Sequence, residues 1–237
     1  GIPKGLVGTS IPFEYNNTET FKELLDQNDG EVGVVIVETI RNIMPDPKFF
    51  AEIRSACDKK NIVFILDEIT SGFRLNAGGA HLLYGIEPDM AVFAKTMSNG
   101  FPMAALIGKR NVMEYAQSTF ISSLNWTESV GPAAALATIN KMQSNPVFEH
   151  TSKLGLAVQD LWIEAGEAQG LKIKISGPVP QLSLFIFEDE EASAIKTLYI
   201  QEMLELGYLS TTAFYPSWAH TDEHIKAFQR DVNYVFK

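Results

Sequence analysis

The chain has 237 residues, enough to bury a sizeable core in one large domain or two small ones. It sets 29 acidic residues against 19 Lys and Arg, for a net charge of −10, which argues against nucleic acid because phosphate neutralisation needs a clustered basic surface. One cysteine, Cys57, excludes an internal disulfide, and no stretch has the length of a transmembrane helix or the order of a signal peptide, so the expectation is a cytoplasmic protein with a small-molecule ligand and no membrane.

In chain order, Thr18 to Gln27 reads as a short helix, and Val32 to Val37 as a buried strand that delivers Glu38 to its end. Pro47 stands where a helix can begin. Phe49, Phe50, Ile53 and Cys57 then recur at helical spacing, and Lys59 and Lys60 mark a basic end. A strand from Ile62 to Leu66 follows, so strand, helix and strand form a right-handed parallel crossover. The same order is expected to repeat through Met90 to Ala94 and Ala104 to Gly108. Beyond Gly131-Pro132, helices are predicted for Ala133 to Met142 and for Val147 to Gln169, the second ended by Gly170. Strands at Leu171 to Ile175 and Gln181 to Phe187, a helix from Glu191 to Leu206 and a last helix from Thr221 to Phe236 complete the chain. Thr221 suits the N-cap of that last helix, with two acids in its first turn. The first half reads as α/β and the second as a small α+β domain, with the boundary near Asn145-Pro146.

Two charges stand out because each closes a continuous apolar run: Asp67 after Ile62 to Leu66, and Lys95 after Met90 to Ala94. Apolar runs without alternation read as strands covered on both faces, and open parallel sheets bind ligands beyond their strand carboxyl ends. A carboxylate that keeps a ring nitrogen protonated and a lysine that forms an imine are the needs of one cofactor, pyridoxal 5′-phosphate. A lysine taken at random is a solvated surface charge. The apolar approach to Lys95 and the Ser-Asn-Gly-Phe-Pro turn after it suggest instead a partly enclosed amine that loses its proton readily. Asp67 has a plain alternative as a turn cap after its strand.

The stretch from Ile65 to Asp89, Leu-Asp-Glu-Ile-Thr-Ser-Gly-Phe-Arg within it, and the stretch from Phe93 to Pro102, Phe-Ala-Lys-Thr-Met-Ser-Asn-Gly-Phe-Pro, resemble the class III pyridoxal-phosphate aminotransferases, nearest to the glutamate-1-semialdehyde aminomutase-like branch. The likeness extends upstream to Val34-Val-Ile-Val-Glu38 and downstream to Trp218-Ala-His-Thr-Asp-Glu-His-Ile225. It implies a fold-type I transferase: residues 1–145 as part of a large cofactor domain with a mostly parallel sheet, and residues 146–237 as the small C-terminal domain. It also implies that the opening Gly-Ile-Pro-Lys-Gly lies well inside the large domain, so that a portion carrying the glycine-rich phosphate turn belongs upstream.

By that resemblance Lys95 is the Schiff-base lysine and general acid and base, and Asp67 pairs with the pyridinium nitrogen. Ile69 packs on the ring face or is plain core. Ser123 or Thr127 reaches the cofactor phosphate of a partner subunit in a homodimer, because the family's threonine falls on Leu124 or on Thr127 according to which neighbouring segment anchors the count. Glu38 is read as structural or as a support behind the site's contact residues. Arg41 and Arg74 could anchor carboxylates, though such arginines more often close ion pairs. The implied activity moves an amino group between an amino donor and a carbonyl acceptor. The aminomutase has a glutamate where Thr212 stands here, which favours intermolecular transfer. The alternatives are an aminomutase-like isomerase, or a chain that folds without binding cofactor. His220 and His224 share metal-pair spacing, but no third ligand is visible in the sequence and the last helix begins there, so no metal is expected.

Overall fold

The computed structural model describes residues 3–177 and 179–237. Helix α1 (Thr18–Gln27) is capped by Asn17, whose side chain accepts from Thr20 N at 3.1 Å, and leads into strand β1 (Val34–Glu38). Asp46 accepts from Lys48 N at 2.9 Å and Pro47 occupies the first turn of α2 (Pro47–Lys60), which ends at Asn61 in the left-handed conformation. Strands β2 (Val63–Asp67), β3 (Met90–Phe93) and β4 (Ala105–Gly108) complete a sheet in the order β1-β2-β3-β4. The first three run parallel, and β4 returns antiparallel to β3. The crossover expected between β3 and β4 is therefore absent. The link between them holds only a 3-10 turn, Lys95–Ser98, which is too short for a parallel connection.

The sheet is also less covered than its apolar runs imply. Val35, Phe64 and Leu66 face a core built with Phe21, Phe49, Phe50 and Ile53 of the two helices. Val34 and Ile36, on the opposite face, are 51% and 56% exposed, and their register partners Val63 and Ile65 are only partly buried. Continuous hydrophobicity signals a strand that can be covered twice; among the described residues no element covers this second face.

A short helix α3 (Arg110–Met113) and an exposed segment precede α4 (Val130–Ser144), and α5 (Val147–Gln169) follows after Asn145-Pro146. Gly170, with φ 72°, ends α5. Strands β5 (Ile173–Ile175), β6 (Ser183–Phe187) and the two-residue β7 (Ala213–Phe214) form an antiparallel sheet. Against it pack α5, α6 (Ala192–Glu205) and α7 (Asp222–Val235), around Trp162, Phe185, Tyr199, Met203, Phe228 and Val232. Thr221 forms a capping box with His224, so this histidine's ring accepts from the cap N–H. Two smaller clusters join the halves: Phe93, Met97, Ala135 and Met142 with Val147, and Ile40 and Ala80 with Val179 and Leu182. No helix among the described residues is long and apolar enough to cross a membrane.

Candidate active site

Asp67 is the last residue of β2 and pairs in register with Val92 of β3, so Lys95, three residues further on, leaves the same carboxyl edge from the adjacent parallel strand. Both residues therefore leave the sheet at the same edge, from neighbouring strands. Asp67 is half-buried, and one of its oxygens accepts from Ile69 N at 2.8 Å, a turn that aims the loop after β2 back over the edge. The other oxygen has no partner among the described residues. Ile69 is half-buried and touches this site through its backbone.

Lys95 has φ 50°, a left-handed conformation uncommon for a side-chain-bearing residue and costing on the order of 1 kcal/mol. Its Nζ donates to Thr70 Oγ1 at 2.9 Å. The residue as a whole is exposed rather than enclosed, in contrast to the expectation from its apolar approach. The apolar run ends one residue earlier, and the 3-10 turn lifts the side chain off the sheet edge into the mouth of a cavity of about 580 Å3. That cavity lies between the turns after β2 and β3, the facing parts of α4 and α5, and residues 215–218. Asp67 is not among its lining residues.

Arg74 also lines the cavity. Its Nε donates to the Thr70 carbonyl at 2.8 Å, and its guanidinium lies 4.8 Å from the Tyr215 ring centre. Arg41, the other arginine weighed as an anchor, sits 3.4 Å from Glu38 in an exposed ion pair. Beneath the site, Glu68 is fully buried and holds four contacts: Thr39 Oγ1 at 2.8 Å, Ser71 Oγ at 2.6 Å, and His81 through both N and Nδ1 at 2.8 Å. Burial drives the Glu68 pKa up, but these donors outweigh it and hold the carboxyl below its ordinary range.

Ser123 and Thr127 lie elsewhere, on an exposed segment from 119 to 130 in which neither lines the cavity. Thr212 is buried, and its carbonyl accepts from Phe185 N at 2.9 Å. Sequence reasoning missed Thr70 and Tyr215, whose roles come from loop geometry and leave no spacing pattern.

The residue types suit pyridoxal phosphate: Lys95 offers an amine at a cavity of a size suited to small ligands, and Asp67 offers a carboxylate with a free oxygen at the adjacent strand end, outside the cavity's lining.

A family model described as aminotransferase class-III matches residues 11–234. Among curated relatives, the glutamate-1-semialdehyde 2,1-aminomutase of Clostridium botulinum (strain Alaska E43 / Type E3) is 31% identical over 96% of this chain and 58% of its own length. The 3-aminobutyryl-CoA aminotransferase of Cloacimonas acidaminovorans (strain Evry) is 29% identical over 95% of this chain and 57% of its own length. The chain thus spans rather more than half the length of these relatives. Of solved structures, the FumI protein of Sphingopyxis sp. MTA144, in its PLP internal aldimine form, superposes with a TM-score of 0.89 at 23% identity, covering 95% of this chain and 56% of that one. An omega-transaminase from Sphaerobacter thermophilus superposes with a TM-score of 0.86 at 18% identity, covering all of this chain and 59% of that one. At these identities the superpositions establish the fold.

Proposed function

The chain belongs to the class III aminotransferases, a pyridoxal-phosphate-dependent family with the fold-type I architecture, and from that premise we propose that it forms the lysine-bearing part of an aminotransferase active site. When bound, pyridoxal phosphate supplies an electrophilic carbon and an electron-withdrawing ring. The observation that carries the reading is the strained Lys95 at the carboxyl edge of β3, directly beyond the register partner of Asp67.

In this reading Lys95 Nζ tethers the cofactor. The same amine would serve as general base and acid toward the substrate's carbon-bound proton. Thr70 Oγ1 orients that amine. The free Asp67 oxygen would hold a protonated ring nitrogen. Ile69 would pack on the ring, and Ser123 or Thr127 of a second copy would hold the phosphate. The division at Asn145-Pro146 then separates the cofactor-binding domain from the small C-terminal domain, with the cavity between them. Amino transfer from a donor to a carbonyl acceptor is favoured over internal transfer, because Thr212 stands where the aminomutase has a glutamate and offers no carboxylate.

The test is titration of the chain and of Lys95→Ala with pyridoxal phosphate, followed by borohydride reduction and peptide mass analysis. A covalent mass increase on the peptide carrying Lys95, absent from Lys95→Ala, is expected. Labelling spread over surface lysines with no dependence on Lys95 would refute the assignment.

A further inference from the structure

In a chain of net charge −10, the cavity beside Lys95 is an exception: Lys95, Arg74 and Lys141 line it, and among the described lining residues none is acidic. Lys95 and Arg74 are both fastened to Thr70, one through the side-chain oxygen and the other through the carbonyl. One residue thus ties both charges to the loop after β2.

Arg74 is the unusual member. A half-buried guanidinium normally closes an ion pair, since burying a charge without a counter-ion is costly. Here Nε is used and Tyr215 covers the guanidinium plane, but the two terminal nitrogens bond no protein atom among the described residues. Burial lowers its pKa below the usual arginine range, with only Tyr215 opposing, yet arginine stays protonated at neutral pH. Phe73, directly before it, has φ 59°, so the loop holds the arginine in place at a cost in backbone strain. A forked donor with both prongs free matches a planar carboxylate, which can accept both. Beside uncharged polar groups such as Asn99 and Gln181, the wall presents Phe73, Phe148, Met142 and Trp218 to the same space.

We propose that Arg74 is a specificity-determining residue: it anchors the carboxylate of a substrate whose apolar or aromatic body lies against Phe148 and Trp218, so that the site selects carboxylate-bearing amines over uncharged ones. This rests on the reading that the cavity beside Lys95 receives the substrate. The anchor holds the carboxylate on the Tyr215 side, leaving the reacting amino group to approach Lys95.

Binding to the full chain without cofactor, measured by calorimetry with 3-phenylpropionate and its neutral counterpart 3-phenylpropan-1-ol, tests the proposal. The wild-type chain is expected to prefer the acid by roughly tenfold or more, and Arg74→Gln to bring the acid down to the level of the alcohol. Arg74→Lys, charged but without the fork, retains part of the preference. Equal affinities in the wild-type chain, or an undiminished preference in Arg74→Gln, overturns the proposal. Inorganic phosphate distinguishes the other oxyanion source: competition well above the concentration at which the acid binds is expected, and displacement at lower concentration overturns the carboxylate assignment. Should circular dichroism show Arg74→Gln unfolded, the same acid and alcohol comparison on Arg74→Lys decides, an undiminished preference overturning the proposal. Lys95-dependent capture of pyridoxal phosphate, measured on the same samples, separates the two readings. Capture with no acid preference sinks only the Arg74 proposal, whereas an acid preference that Arg74→Gln removes, without capture, upholds the anchor and sinks only the Lys95 assignment.

Discussion

Lys95 Nζ donates to Thr70 Oγ1 at 2.9 Å, so a hydroxyl in the loop after one strand positions the amine delivered by the next. Removing the hydroxyl while keeping the shape leaves that amine without its acceptor. Thr70→Val is expected to slow capture of pyridoxal phosphate by roughly tenfold, the equivalent of one net hydrogen bond, while Thr70→Ser stays within about threefold. Stopped-flow absorbance checks this. Capture by Thr70→Val at the wild-type rate would mean that the contact positions nothing.

Glu68 next to Asp67 serves the site through rigidity. Its carboxylate is fully buried and ties β1, through Thr39, to Ser71 and to His81. Glu68→Gln keeps the volume but turns an amide donor toward groups that themselves donate, and is expected to cost about 2–4 kcal/mol in urea unfolding. Because the folded-state pKa is depressed, the carboxylate contributes stability that is fully present above the ordinary glutamate range and is lost as pH falls through about 4 and below. Wild-type stability should therefore drop more steeply between about pH 5 and pH 3 than that of Glu68→Gln. Parallel pH curves for the two would contradict this account.

Elements with dense local signals were legible in the sequence. Helix α5 is bounded by Pro146 and Gly170, α2 by Pro47 and its basic end at Lys59 and Lys60, and α7 by its Thr221 cap, each a local signal that needs no tertiary partner. Features decided by tertiary partners were not legible: the direction of β4, the two-residue β7 and the open face carrying Val34 and Ile36. The site divides the same way. Lys95 and Asp67 could be found because each closes an apolar run, but the exposure of Lys95 depends on what stands over it. Arg41 and Arg74 look alike in sequence, and only the placement of Glu38 beside one and Tyr215 beside the other separates an ion pair from a free fork.

Close approach at Gly155 locks α5 to the turn before β6. A Cβ there would lie 1.9 Å from the Pro180 carbonyl oxygen and 2.5 Å from its carbon, both backbone atoms that cannot turn aside. Gly155→Ala is expected to destabilise the chain by about 3 kcal/mol. Gly33, where an added Cβ meets nothing within 4 Å, is the control, with Gly33→Ala changing stability by no more than about 0.5 kcal/mol. Thermal melts of the two variants check the contrast, and equal melting temperatures would show that α5 shifts freely against Pro180.

The segment from 115 to 130 points Tyr115, Phe120, Leu124 and Trp126 into solvent, with Phe120 and Leu124 at 95% and 99% exposure. Isolated exposed apolar residues are ordinary, but so many along one stretch mark a surface meant to be covered, and aromatic residues are typical of interface cores. Ser123 and Thr127 lie among them, outside the cavity of their own chain. We expect a second copy to cover this segment, which would bring those hydroxyls to the partner's site. Leu124→Ser with Trp126→Ser removes the two side chains most suited to anchor the contact and touches no buried residue, so the fold should survive by circular dichroism. Sedimentation velocity should then show a dimer for the wild-type chain and a shift of at least about tenfold in the monomer–dimer equilibrium for the double variant. A wild-type chain that stays monomeric at every accessible concentration would leave the apolar segment without the proposed partner.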